Sequence, residues 1–398
     1  MRVGFLKPDH GGVGGFERLA VRCRTRLADR GVDVSLVGFD ARTRADRLHG
    51  LRIDDGTREW HDEYFLYVAA TQRLDRLDLS GFDVVVTSQP PSYLVRHPRV
   101  VALTYHQARV FYDLAEEFTA AGFARPDVHA AAVEQVRALD RSRIGSVHTW
   151  LTGSDEVAGR LRQWWDVDGT TPFRATAETA PVADLGYDPG GPAVCVSRHE
   201  WPKRTELAAQ AATVDDGAWE LVGGGSRLPW VRHLLSTWSR ETAATAAPEA
   251  TWRNRGPWLL TAEEMPAAAG ASEHQGGRVR LHGEVDDATR DDAYRRAGVV
   301  VAPARREDYG LTVLEAFAHG RPVVVCDDGG GLVELAEGTG AAVVVEPTAA
   351  AVAAAVAELR DDPTRAREMA AAALDHAHRL AAIDDLAPLV DAVRAAAP

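Results

Sequence analysis

The chain has 398 residues, 45% of them hydrophobic and 26% charged, with a formal net charge of −13 and three cysteines. That length exceeds one ordinary core and the composition is that of a folded protein, so two globular domains are expected. The acidic balance argues against a nucleic-acid partner, no run of 18 apolar residues marks a membrane span, and Cys23, Cys195 and Cys326 lack metal or redox spacing.

A cytoplasmic location is expected from that cysteine usage and from a first segment that reads as a strand, not a leader peptide. Lys7 and Lys203 are the only lysines among 45 basic residues. Where arginine is the default, a lysine marks a place that wants a compact point charge.

Residues 2–6 read as a strand, 7–15 (Lys-Pro-Asp-His-Gly-Gly-Val-Gly-Gly) as a glycine-rich loop, 16–30 as a helix and 32–39 as a second strand. This βαβ opening brings backbone close to a ligand. It is not the dinucleotide fingerprint, because Glu17 stands where the third glycine would be. Arg18, Arg22, Arg26 and Arg30 recur every four residues, and on so acidic a chain they are expected to form a solvated face, which argues against a membrane partner. Buried strands follow at 83–88 and 99–105. His106 sits at the carboxyl end of the latter, where open parallel sheets place ligands, ahead of Val110-Phe111-Tyr112-Asp113. Residues 147–152 read as a strand and 154–164 as a helix capped by Ser154. Asp166-Val167-Asp168 falls in the expected surface loop and is not read as a metal site.

Residues 183–192 have the composition of a linker. A second α/β domain opens with a strand at 193–197, followed by Arg198-His199-Glu200-Trp201-Pro202-Lys203-Arg204 and a helix over 205–213. Strands are expected at 219–222, ending in Gly223-Gly224-Gly225, and at 279–281. The long stretch between them, around 226–278 with Trp230, Trp238, Trp252 and Trp258, reads as an insertion for acceptor recognition, self-association or packing. Two β-branched strands, 299–302 and 322–326, flank a helix over 311–319 that Gly320 closes and Pro322 stops. The loop before that helix ends on its N-terminus, which favours an anion. A strand at 341–345 and helices at 349–360, 364–380 and 384–396 complete the chain.

Glu307 and Glu315 bracket the start of the 311–319 helix. A fully helical span would separate them by about 12 Å. A glycosidase pair needs roughly 5–9.5 Å, so the two carboxylates read as holding opposite ends of one elongated, hydroxyl-bearing ligand.

Glu307 to Glu315, with Tyr-Gly-Leu-Thr between and Glu-Ala-Phe-Ala-His-Gly-Arg-Pro-Val after, resembles the Glu-x7-Glu signature of family 4 glycosyltransferases. The resemblance spans most of 1–380 and is densest over 193–346. It implies an α/β GT-B fold: two Rossmann-like, doubly wound domains facing a central cleft, 1–185 for the acceptor and 186–380 for the nucleotide sugar, with 381–398 packing back on the first. It implies that Glu307 binds the donor sugar's hydroxyls, that Gly310, Leu311 and Thr312 offer N–H groups to sugar and diphosphate, and that Glu315 holds the ribose. Arg198 and Lys203 match the residues that bind the donor diphosphate, with Ser197 where relatives usually carry glycine. Gly14-Gly15-Phe16-Glu17 is similar to a Gly-Gly-x-Glu loop lining the cleft, and His106 to a histidine facing the sugar–phosphate linkage.

The activity so implied is retaining, metal-independent transfer of a hexosyl or aminohexosyl residue from a nucleotide-diphosphate sugar to a small-molecule acceptor, with no cofactor beyond that co-substrate. The Arg/Ala-rich composition and the insertion point to specialised, natural-product metabolism. A nucleotide-sugar 2-epimerase, a pseudo-glycosyltransferase and a non-catalytic nucleotide-sugar-binding partner share the fold and stay open, as do the base, sugar, acceptor and oligomeric state.

Overall fold

The structure, a computed structural model, describes residues 1–9, 15–43, 46–48, 51–58, 60–120, 122–177, 179–246 and 272–398. The chain divides into two compact units, Met1–Ala175 with Asp384–Pro398, and Thr176–Ile383.

The first unit is built on six parallel strands: β1 (Arg2–Asp9), β2 (Asp33–Asp40), β3 (Val84–Thr87), β4 (Val100–Thr104), β5 (Val147–Thr152) and β6 (Thr170–Pro172). Their order is β2-β1-β3-β4-β5-β6. The central strands are short β-branched runs buried on both faces, as helices on either side of a parallel sheet require. Those helices are α1 (Gly15–Asp29), α2 (Asp62–Leu74), α3 (Pro126–Arg141) and α4 (Asp155–Trp165). Ser154 caps α4, its hydroxyl accepting from Val157 N at 3.1 Å. β1 runs to Asp9, beyond the expected end at residue 6, because β2 is long enough to pair with it throughout; Lys7 therefore sits in the ladder opposite Gly38, not in a loop.

The arginines of α1 also depart from expectation. Arg22 binds Asp385 at 2.7 Å, Arg30 binds Asp384 at 2.9 Å, and Arg26 also pairs with Asp384. This face is not merely solvated; it fastens the C-terminal segment of the chain. That segment continues as α12 (Ala387–Ala396), whose buried Leu389, Val390 and Val393 place it against β4 and β5.

The second unit holds β7 (Ala193–Val196), β8 (Trp219–Val222), β9 (Ser272–His274), β10 (Val279–Leu281), β11 (Val299–Ala302), β12 (Val323–Cys326) and β13 (Ala342–Val345). Their order is β9-β10-β8-β7-β11-β12-β13, with only the edge strand β9 antiparallel. The connecting helices are α5 (Thr205–Val214), α6 (Leu228–Thr237), α7 (Asp287–Arg296), α8 (Leu311–Ala318), α9 (Gly331–Ala336), α10 (Ala349–Asp361) and α11 (Pro363–Ala381).

Two sequence expectations change here. The stretch 183–192 is not a free linker. Val182 N donates to Ala318 O, Arg321 donates to Leu185 O, and the Tyr187 hydroxyl donates to Gly298 O at 2.7 Å, so the change of unit comes earlier, at Ala175/Thr176. The Trp-rich stretch is not wholly an insertion either, since α6 buries Leu228, Val231 and Leu235 in the core of the second unit and stacks Trp230 on His233. Trp252 and Trp258 lie outside the described residues.

Candidate functional site

From β7 the chain steps one way across the second sheet to β8 and β10, and later the other way to β11, β12 and β13. The switch point lies between β7 and β11, and ligands of such sheets bind outside the carboxyl ends of the strands there. The loops that follow these two strands are 197–204 and 303–310, the segments carrying Arg198, Lys203 and Glu307.

The loop after β7 is held by main-chain bonds from Ser197 N to Val222 O at 3.0 Å and from His199 N to Gly224 O at 2.7 Å. Gly223 (φ 137°) and Gly225 (φ 145°) permit this close approach, since a Cβ at either would collide with the carbonyls of Ser197 and His199. His199 is buried, with Nδ1 2.9 Å from Thr205 Oγ1, and burial lowers its pKa to about 4. It is neutral at physiological pH, so the accessible positive charge of the loop belongs to Arg198, which is exposed, and Lys203, which is half-buried, while that of Arg204 is buried.

The loop after β11 is pinned to the turn after β12. Arg306 N donates to Asp328 O at 2.7 Å, Glu307 N to Gly329 O at 2.9 Å, and Gly331 N to Glu307 O at 2.8 Å. A Cβ on Gly331 would stand 2.8 Å from Tyr309 O and 3.0 Å from Glu307 O, so only glycine allows this contact. Thus held, Glu307 presents its carboxylate to Lys203, with Nζ 2.6 Å from Oε2.

Gly310, in the left-handed region at φ 108°, opens α8 and supplies no side-chain cap. Leu311 and Thr312 form the first turn, and the Thr312 hydroxyl lies 3.4 Å from Val196 O, the last carbonyl of β7. The helix begins after Gly310, so the span from Glu307 to Glu315 is only partly helical. Glu315 accepts a 2.7 Å hydrogen bond from the hydroxyl of Tyr294 on α7. Burial first, and then the charge of Glu315, hold the Tyr294 phenol well above its ordinary pKa, so it remains an O–H donor. Burial pulls Arg290 down, but Glu315 and then Asp291 and Asp287 outweigh it and leave the guanidinium above its ordinary value. Glu315 is thus an acceptor fixed from one side by Tyr294.

The structure brings Lys203 and Glu307 into contact and sets Gly310, Leu311, Thr312 and Glu315 on the adjoining turn. Arg198 has no such tie to Glu307. His106 belongs to the first unit, just past β4, with Nδ1 2.8 Å from the Gln107 carbonyl. Gly15 opens α1, and Gly14 lies outside the described residues. Asp166 caps α4 in the left-handed conformation, and Asp168 is 87% exposed at its side chain, 3.9 Å from Arg162. Sequence reasoning missed Tyr294, Arg204 and Asp328. The only sequence signal for Asp328 was its place beside three glycines after a buried strand.

Residues 244–362 match the model of the Glycosyl transferases group 1 family. D-inositol 3-phosphate glycosyltransferase 2 of Catenulispora acidiphila is 37% identical over 101 residues, 25% of this chain and 24% of that protein. The chain thus spans about a quarter of the length of the curated relatives it matches. Sucrose-phosphate synthase from Thermosynechococcus elongatus has a TM-score of 0.64 at 19% identity, covering 99% of this chain and 98% of that one. Anabaena HepE in complex with UDP and glucose has a TM-score of 0.60 at 14% identity, with 99% and 98% covered.

Proposed function

We propose, for a chain of the GT-B fold whose residues 244–362 match the Glycosyl transferases group 1 model, a retaining transfer of a hexosyl or aminohexosyl residue from a nucleotide-diphosphate sugar to a small-molecule acceptor. The observation that carries this reading is the Lys203–Glu307 pair at the β7/β11 switch point, set beside the uncapped N-terminus of α8.

In this reading the donor lies along the turn from Glu307 to Glu315. Glu307 accepts from hydroxyls of the sugar, the first amides of α8 (Gly310, Leu311, Thr312) face sugar and diphosphate, and Glu315 accepts from the ribose hydroxyls. Arg198, Lys203 and the α8 terminus supply positive charge where the bond to the diphosphate breaks, so no metal is required for that task. The leaving phosphate takes the acceptor's proton on the same face, which gives retention. By the same resemblance we assign His106 to the sugar–phosphate linkage and the Gly14-Gly15 pair to the donor. The Anabaena protein solved with UDP and glucose makes uridine the first base to try, and the inositol phosphate of the curated relatives the first acceptor. Three buried free cysteines support a reducing, cytoplasmic setting, and an acceptor from specialised metabolism is part of the proposal.

The test is thermal unfolding of the wild type and Glu315→Ala with a panel of nucleoside diphosphates and their sugars. A ligand at 100 times its dissociation constant adds roughly 2.7 kcal/mol. One nucleotide series should stabilise the wild type and not the variant; no shift with any series at millimolar ligand would sink the donor site. Product analysis then separates transfer from release of a 2-epimer or from binding without turnover.

A further inference from the structure

We infer that Arg204 and Asp328 form a positioning pair that sets Lys203 and Glu307 in one frame, an inference that rests on the donor site proposed above. Arg204 directly follows Lys203 and is 3% exposed. Its Nε donates to the Pro303 carbonyl at 2.7 Å, and its two terminal nitrogens donate to the two oxygens of Asp328 at 2.8 and 2.6 Å. One side chain therefore ties the ends of three loops, those after β7, β11 and β12. A planar fork on a carboxylate fixes direction as well as distance, which a lysine at this position would not do.

Asp328 is the hub. Through its carboxylate it holds Arg204, the neighbour of Lys203; through its main-chain carbonyl it accepts from Arg306 N, the neighbour of Glu307, at 2.7 Å. Its own position is set by bonds from Asp327 N to Val345 O and from Gly329 N to Cys326 O. The Lys203 ammonium and the Glu307 carboxylate, 104 residues apart, are thus referred to a single residue.

The backbone adds a second, independent sign. Arg204 lies in the left-handed region at φ 50°, and so does Arg306 at φ 46°. Side chains adopt that conformation only where their surroundings over-determine it. At Arg204 three hydrogen bonds do so, and the result turns the chain so that Lys203 faces Glu307 while α5 starts at the next residue. Burial alone would lower the guanidinium's pKa, but the hydrogen bonds it donates to Asp328 and the charge of that carboxylate outweigh it, so the charge is retained.

The pair acts through Lys203, and the test is a cycle in the full-length chain. Arg204→Gly with Asp328→Ala removes the pair without leaving a buried charge, and glycine accepts φ 50° without strain. We expect the transfer rate to fall on the order of 10- to 100-fold in this variant. In a Lys203→Ala background the same change should cost less than about threefold, because the group being positioned is gone. Arg204→Lys, which keeps the charge but not the fork, serves if the double variant does not fold; its smaller loss should vanish in the Lys203→Ala background too. Equal losses in both backgrounds, for either variant, overturn the proposal, since a merely structural role is additive. A wild type that transfers sugar with Lys203→Ala equally fast overturns the positioning role alone. A wild type that binds no nucleoside diphosphate by calorimetry removes the donor site, and this proposal with it.

Discussion

Lys203 Nζ lies 2.6 Å from Glu307 Oε2, so the ammonium proposed for the diphosphate and the carboxylate proposed for the sugar are partners in the folded chain. Side-chain exposures of 25% and 14% leave both partly hydrated, and such a pair contributes about 1 kcal/mol or less to stability. Lys203→Ala should therefore leave the melting temperature nearly unchanged. It should lower kcat by about 10²–10³, the usual loss for one group that stabilises charge in the transition state. Steady-state kinetics beside a thermal melt checks both halves; a large fall in stability with unchanged kcat would refute the assignment.

Glu315 is held by a tyrosine that cannot ionise. Tyr294 is fully buried and donates to Oε2 at 2.7 Å, and a hydrogen bond to a charged group contributes about 1.5–3 kcal/mol. Tyr294→Phe removes that hydrogen bond and loosens the hold on the carboxylate. Nucleoside diphosphate affinity, read by calorimetry, should weaken about tenfold, while Glu315→Ala weakens it by more. Wild-type affinity in Tyr294→Phe would show that Glu315 needs no fixing.

The C-terminal segment is fastened twice, by the α1 arginines on Asp384 and Asp385 and by the apolar face of α12. The ion pairs are partly exposed, so Asp384→Ala and Asp385→Ala should each cost about 1 kcal/mol or less and lose their effect in high salt. Truncation after Ile383 also removes Leu389, Val390 and Val393. At about 1.5–3 kcal/mol for each buried side chain, that loss is comparable to the whole stability of a domain. Cys23, buried on α1 and with its thiol pushed up to about 12 first by burial, reports the outcome. It should resist a thiol reagent in the intact chain and in the aspartate variants, and react in the truncated one.

The strands of both sheets were legible because a covered parallel strand needs a β-branched run, and 193–196, 299–302 and 323–326 provide it. Glu307 and Glu315 were legible because their spacing and the glycine between them are local. What escaped was every feature that depends on a distant partner. Arg204 meets Asp328 across 124 residues, and Arg22 meets Asp385 across 363. Read locally, an arginine every fourth residue is a solvated face, and 183–192 is a linker; only the folded chain supplies Asp384 to the one and Arg321 to the other. Lys7 was read as loop because its ladder partner, Gly38, lies on another strand.

Asp140 is fully buried in the first unit and accepts from Tyr67 and Tyr112, each at 2.6 Å, while Trp165 Nε1 donates to the Tyr112 hydroxyl at 3.0 Å. Burial raises its pKa from 3.8 to about 7, against the lowering effect of Tyr112, Tyr67 and Tyr93. The folded state therefore binds this proton more tightly than the unfolded chain. Its contribution to stability is complete below the unfolded value and is lost as pH rises from about 4 to about 7, on the order of 4 kcal/mol over that window. His61 runs the other way. Burial, and then His129 with Nδ1 2.7 Å from His61 Nε2, lower it from 6.5 to about 4, so its contribution is complete above 6.5 and is lost as pH falls toward 4. Burial lowers His129 as well, in the same sense. Between pH 4.5 and 6.5 the aspartate and the histidines oppose each other and flatten the stability of the first unit. Asp140→Asn removes one side of that balance. Followed by near-ultraviolet circular dichroism, which reads the tyrosines and Trp165 around the site, the variant should lose melting temperature on acidification more steeply than the wild type. Parallel curves for the two proteins would mean that Asp140 carries no proton in this range and that its tyrosines hold it ionised in the core.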